Sequence, residues 1–258
     1  MEIQVLGAHQ YESKGRRLTS FLVDGVLAID AGSLTSALSL AEQQRIKHLL
    51  LTHHHFDHTR DLVTLGANAA FCGWGQVKVY AIQDTLDVVV PCLLDGRMYI
   101  DFLSYPSEGA ACMAVEPLEP NVRRDIEGYE VLPLPVRHSV SCVGYHVASA
   151  DGKSLFYTGD TTSGISECWR EISPQLILVE VSGLNEHGDW LRKVGHLSAR
   201  LLGDELEQFR RMKGYLPRVV VVHLGNHSEE RIREEVAQMA ADLGAEIGVA
   251  TEGMTLTL

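Results

Sequence analysis

The chain is short of cysteine, of positive charge and of long apolar runs. Its five cysteines (Cys72, Cys92, Cys112, Cys142 and Cys168) are odd in number, widely spaced and form no C-x-x-C pair. This argues against a disulfide framework or a thiolate zinc site and leaves them as small buried residues. No apolar run reaches the roughly 18 residues that a membrane span needs. The opening Met1–Leu6 reads as a strand rather than a basic-then-apolar leader, so the expectation is a cytoplasmic protein without a membrane partner. Only 22 Lys and Arg stand against 34 Asp and Glu, a formal charge of −12. Long nucleic acid, which binds through clustered cations, is therefore not an expected partner. A small anion held at a local cationic centre stays compatible with that balance.

A Pro/Ser-rich linker, a long charge block and a fixed-period repeat are also missing, which points to one domain over residues 1–258 in two structural halves, roughly 1–135 and 136–258. With 258 residues and 45% apolar side chains, close to three-quarters of the unfolded surface can be buried, and disorder is excluded. Short apolar runs alternate with amphipathic stretches, an α/β pattern. Strands are expected at Glu2–Leu6, Thr19–Val23, Val26–Ile29 and His48–Thr52, with Asp24-Gly25 as a hairpin turn. Ser33–Gln44 and Asp84–Leu94 read as helices. The stretch 95–121 is the least regular, either a sheet edge with a surface loop or a lid or subunit contact, and a homodimer is left open. In the second half, strands are expected at Tyr129–Pro133, Val143–Ala148, Ser154–Tyr157, Leu176–Val179 and Arg218–Val222. Helices are expected at Ser198–Met212 and Glu229–Leu243.

Against these shortages stand 12 histidines. Four of them fall in His53-His54-His55-Phe56-Asp57-His58, directly after the apolar strand His48–Thr52. In an extended loop alternate side chains share a side, so His53, His55 and Asp57 can converge while His58 reaches round as the chain turns. Imidazoles and carboxylates are the ligand set of zinc, manganese and non-haem iron. A second apolar strand, Val219–Val222, likewise ends in His223.

His-x-His-x-Asp-His after an apolar strand resembles the metallo-β-lactamase superfamily of binuclear metallohydrolases, over the whole chain. Thr19–Val23 with Ile29-Asp30-Ala31-Gly32 looks like its opening hairpin. His138-Ser139-Val140 looks like its third histidine motif, Tyr157-Thr158-Gly159-Asp160-Thr161 like the strand end with a bridging aspartate, and Val222-His223 like its last histidine. The resemblance implies a four-layer αβ/βα sandwich and two divalent metal ions, zinc first, with manganese or iron as alternatives. One ion would be held by His53, His55 and His138, the other by Asp57, His58 and His223, with Asp160 bridging. Two dications against two aspartates would make a positive well in an acidic protein.

Arg137–Tyr145 does not fit the pattern of lactamase-like members, and Gly195-His196-Leu197-Ser198 resembles an element of the branch that contains ribonuclease Z and the class II cyclic-nucleotide phosphodiesterases. This implies a metal-dependent hydrolase of a small or cyclic nucleotide phosphodiester, acting through a hydroxide between the metals. His196 would serve the leaving oxygen, Glu180 would orient it, and Asp57 is counted with them in the reaction centre. Ser198 reads as the N-cap of the following helix, whose N-terminus favours an anion. The alternatives are an ester, thioester or lactone hydrolase on the same metals, or a non-catalytic metal or nucleotide sensor. His54 is expected to point away from the metals, His48 and His146 to be surface or packing residues, and His187 to carry no signal. His227 is a weaker candidate than His223, His9 is open, and Arg16 and Arg17 are read as solvated charges that could reach a phosphate.

Overall fold

A computed structural model describes residues 1–107 and 109–258. The strands are β1 (Glu2–Gly7), β2 (Ser20–Val23), β3 (Leu27–Ile29), β4 (His48–Leu50), β5 (Val77–Ala81), β6 (Met113–Pro117), β7 (Arg124–Ile126), β8 (Tyr129–Val136), β9 (Cys142–Ser149), β10 (Ser154–Tyr157), β11 (Leu176–Glu180), β12 (Arg218–Val222), β13 (Ile247–Val249) and β14 (Thr255–Thr257). The α-helices are α1 (Leu34–Ala37), α2 (Leu40–Gln43), α3 (Phe56–Thr59), α4 (Leu62–Cys72), α5 (Gln83–Val89), α6 (Gly188–Val194), α7 (Ala199–Lys213) and α8 (Glu229–Leu243).

Two seven-stranded mixed sheets form, ordered β14-β1-β2-β3-β4-β5-β6 and β13-β12-β11-β10-β9-β8-β7. In each, antiparallel pairs at one end give way to parallel strands, β3 to β6 in one and β10 to β13 in the other. Side-chain alternation then divides the interior into layers. Val220 and Val222 of β12 and Leu50 of β4 join a core between the sheets with Phe21, Tyr145 and Tyr157. Val219 and Val221 face the other way, toward Leu202, Leu206 and Phe209 of α7 and Ile232 and Val236 of α8. Leu49 and Leu51 do the same toward Leu62 and Leu65 of α4 and Leu86 of α5. Strands buried on both faces carry continuous apolar runs for this reason, and the result is the expected αβ/βα sandwich. Among the described residues no helix is long and apolar enough to cross a membrane.

Some local expectations are corrected. Ser33–Gln44 is two short helices, because Leu38 is extended and Ser39 opens α2 with a capping box: Ser39 Oγ accepts from Glu42 N while Glu42 accepts from Ser39 N at 2.8 Å. That reciprocal pair satisfies donors that a continuous helix would have bonded internally. Asp84–Leu94 becomes α5 followed by one π turn at Val90–Leu94, where Pro91 supplies no N–H to the ladder. β4 stops at Leu50, since Thr52 N turns to Asp30 Oδ1 at 2.9 Å. Asp24 and Gly25 take φ of 48° and 72°, but Val23 pairs with Leu27, so the hairpin connection is the three residues Asp24, Gly25 and Val26 rather than the expected two. Within 95–121, β6 is the edge strand of the first sheet, and Phe102 anchors the preceding loop in the core. All five cysteines are free; Cys112, Cys142 and Cys168 are buried, but Cys72, at the end of α4, and Cys92, in the π turn, are exposed.

Candidate metal centre

The chemistry-bearing residues sit where strands end. His53 follows β4, and the next turn, α3, follows His55 and carries Asp57 and His58. His138 follows β8, Asp160 follows β10, Glu180 ends β11, His196 precedes α7 and His223 follows β12. The two sheets bring these ends together. His53, His55, His138 and Asp160 form one cluster, Asp57, His58, Asp160 and His223 a second, and Glu180, His196 and His223 a third.

The second cluster has the dimensions of a tetrahedral ion site. Five of its donor–donor edges measure 3.5 Å for His58–Asp57, 3.3 Å for His58–Asp160, 3.4 Å for His58–His223, 3.2 Å for His223–Asp57 and 3.4 Å for His223–Asp160. A tetrahedron with donors about 2.0–2.1 Å from its centre has edges of roughly 3.3–3.4 Å. The first cluster is wider, with His138 Nε2 3.2 Å from His55 Nδ1, and with His53 and His138 Nε2 3.8 and 3.9 Å from Asp160 Oδ2. Asp160 turns Oδ1 to one cluster and Oδ2 to the other, the posture of a bridging carboxylate. Its Oδ1 and His53 Nε2 are buried without a hydrogen-bond partner, which fits a site shaped for a cation.

The ring nitrogens that face away from the clusters are held. His58 Nδ1 is 2.7 Å from Asp30, His138 Nδ1 2.9 Å from Gly195 O, His223 Nδ1 2.9 Å from Ser182 Oγ and His53 Nδ1 3.0 Å from Thr52 Oγ1. Each bond fixes the tautomer that leaves Nε2 with a lone pair toward the cluster. Burial holds His53, His55 and His138 below the ordinary imidazole range, so neutral rings are presented. Burial also opposes charge on His58, but Asp160, Asp30 and Asp57 outweigh it and raise that ring well above the usual value. Asp160, despite burial, is held far below the carboxylate range by His223 and His58. His223 and Asp30 both adopt φ of 57°, an uncommon conformation for residues with a side chain and one that clusters at functional sites.

At the rim, His196 Nδ1 lies 2.8 Å from Glu180 Oε1, and the His196 ring is 5.0 Å from that of His138 and 5.7 Å from that of His223. Burial disfavours its charged form, but Glu180 outweighs burial and pushes the ring up to about 9. Sequence reasoning passed over three supports. Asp30 stands out in the sequence only as part of a hairpin motif. Ser182, which donates to Glu180 Oε2 at 2.6 Å and joins it to His223, has no motif to mark it. Gly195 has φ of 86°, and a Cβ there would stand 2.8 Å from His138 Nδ1.

The remaining histidines lie outside the three clusters. His48 bonds Tyr80 and Glu127, His146 is buried within β9, and His187 and His227 are exposed. His9 is 1% exposed; its Nδ1 bonds Glu252 at 2.6 Å and its Nε2 faces Glu229 at 3.3 Å, so both nitrogens are turned toward these glutamates. Glu229 takes Arg16 at 2.7 Å, the Arg17 backbone N–H donates to Glu252 Oε1 at 2.9 Å, and the Arg17 guanidinium donates to Leu6 O at 3.4 Å.

A profile of the beta-lactamase superfamily domain matches residues 19–224. No curated protein matches the sequence at a significant level. Among solved structures, yeast PDE1 in its unliganded form aligns with a TM-score of 0.83 at 18% identity, covering 100% of this chain and 99% of that one. The metallo-beta-lactamase fold protein YhfI from Bacillus subtilis aligns with a TM-score of 0.80 at 15% identity, covering 99% of both chains. The short form of human tRNase Z, ELAC1, aligns with a TM-score of 0.72 at 16% identity, covering 100% of this chain and 99% of that one. These identities speak to the fold, and with the profile match and the converging histidines and aspartates they show that the chain belongs to the metallo-β-lactamase superfamily.

Proposed function

We propose that the protein is a binuclear metal-dependent phosphodiesterase acting on a small phosphodiester, with a cyclic nucleotide as its leading substrate. His53, His55 and His138 would hold one divalent ion, Asp57, His58 and His223 the other, and Asp160 both. The chemistry that such a pair supplies when bound is ionisation of water near neutral pH and stabilisation of phosphoryl oxygens. The residues of the chain do the rest. Asp30, Thr52, Ser182 and the Gly195 carbonyl fix the imidazoles. Glu180 holds Nδ1 of His196 and keeps the ring charged, so Nε2 can deliver a proton to the departing oxygen.

The observation that carries this reading is His196 itself: a carboxylate-oriented, cationic imidazole beside both clusters, two residues before the Ser198-capped N-terminus of α7. A proton donor and a helix N-terminus together favour an anionic ester with an alkoxide-like leaving group. Elemental analysis of untagged protein, followed by turnover of bis-p-nitrophenyl phosphate, cyclic AMP, 2′,3′-cyclic nucleotides and a thioester panel, tests it. The expectation is about two metal equivalents and phosphodiester turnover, with His196→Ala keeping its metal and losing about 10²–10⁴-fold in kcat. Turnover of thioesters alone would assign the centre to the ester-hydrolase reading. Full metal content with no hydrolysis at all would favour a sensor, and one equivalent or none would overturn the binuclear centre.

A further inference from the structure

Beside His196 lies a cavity of about 330 Å³ that the chemistry above leaves unused. One wall is α6, which turns Trp190, Leu191 and Val194 toward it from neighbouring positions on one face. Leu191 is 2% exposed and forms an apolar floor, whereas Trp190 is 61% exposed. The other wall comes from the first loop and from the loop after β12, where the Tyr11 and His227 rings meet edge to face at 6.1 Å. Tyr11 is 53% exposed. Single exposed aromatics are ordinary on protein surfaces. Two that line one concavity, with a proposed proton donor at its inner end, suit a ligand.

The lining is also selective by what it omits: it contains no Asp, Glu, Lys or Arg. Apart from the His196 imidazolium at its inner end, a second phosphate or a carboxylate would find no fixed opposite charge among these residues. A neutral flat ring finds aromatic faces, an apolar floor and hydrogen-bonding groups in Gln10 and Ser228. The volume is at the small end of ligand pockets, enough for a nucleoside-sized group and not for a folded nucleic acid.

We infer that this cavity is the specificity pocket for the group carried by the leaving oxygen, and that Trp190 and Tyr11 select a neutral aromatic group of nucleoside size. The assignment rests on the phosphodiesterase reading, because it takes the His196 side of the centre as the leaving-group side. Base–aromatic stacking is worth about 1–3 kcal/mol by truncation, equivalent to about 5–150-fold.

Two measurements test it separately from the reaction. Adenosine, which carries no phosphate, is titrated against the metal-loaded protein while tryptophan fluorescence is followed. Trp74 and Trp169 are buried, so the exposed Trp190 reports the cavity. Saturable quenching that disappears in Trp190→Phe read at the tryptophan band and weakens at least fivefold in Tyr11→Ala is expected. In turnover, Trp190→Ala is expected to lose 5–150-fold in kcat/KM on cyclic AMP, mostly through KM, and at least fivefold less on ethylene phosphate, a cyclic diester with no ring system to stack. Equal losses on the two diesters, or no saturable adenosine binding, would overturn the pocket. Adenosine binding without hydrolysis of any phosphodiester would keep the pocket as an aromatic-ligand site and sink the reaction class instead.

Discussion

Asp30 Oδ2 lies 2.7 Å from His58 Nδ1, and both side chains are fully buried. The same carboxylate receives the Thr52 hydroxyl at 2.9 Å, and Thr52 Oγ1 in turn stands 3.0 Å from His53 Nδ1. One aspartate therefore orients a ring in each of the two clusters, directly on one side and through a threonine on the other.

Removing that charge while keeping the shape is the cleanest test of this arrangement. Asn tolerates the positive φ of position 30, so Asp30→Asn is expected to fold and to bind zinc about 10–100-fold more weakly. Competition with a chromogenic chelator measures the affinity. Unchanged affinity would show that the pair is structural only.

Ser182 joins Glu180 to His223, donating to the carboxylate and accepting from the ring. Ser182→Ala is expected to free the His223 ring to change tautomer and to weaken one metal equivalent by about tenfold or more. The other equivalent, on His53, His55 and His138, should titrate as in the wild type. Isothermal titration with zinc separates the two; equal weakening of both would contradict the local role.

Gly195→Ala places a methyl 2.8 Å from His138 Nδ1 and 2.8 Å from Ser139 N, at a φ of 86°. His138 must then move or its loop must open. The expected result is loss of the metal equivalent on the His53, His55 and His138 side, with destabilisation of about 1 kcal/mol or more from backbone strain. Chemical denaturation and metal content of the same preparation check both.

A pH effect is expected well away from the centre. Burial pushes His146, whose Nδ1 has no partner, down to about 4. As pH falls below about 6.5 the unfolded chain takes up a proton that the folded chain refuses until about 4, so stability drops across that window, by up to about 3 kcal/mol. Its register neighbours on β8 and β10 are Leu132 and Phe156. His146→Leu should remove this slope, seen as a flatter difference in unfolding free energy between pH 6.5 and 4 than in the wild type. A parallel pair of curves would count against the assignment.

His53, His55, Asp57, His58 and His223 stand out as ligand-type residues directly after apolar strands, whereas His138 and Asp160 are reached only through the family resemblance. The supports are not legible in this way. Asp30 and His58 are 28 positions apart and Glu180 and His196 are 16; only the second pair stood beside a motif that suggested a partner. Ser39 split an expected helix because its capping box competes locally with the helical ladder, a choice that apolar periodicity does not register. His9 drew notice as a loop histidine, yet Glu229 and Glu252, more than two hundred positions away, determine what it does.

Apolar alternation, a local property, gave the α/β class of the chain, and the resemblance to the metallo-β-lactamase superfamily implied the two-sheet plan and the set of imidazoles and carboxylates. Tertiary structure alone decided which nitrogen of each ring faces inward, that one aspartate serves both clusters, and that Tyr11 and Trp190 share a cavity beside His196. Those relations depend on distances between strand ends from different halves of the chain, which no local pattern encodes.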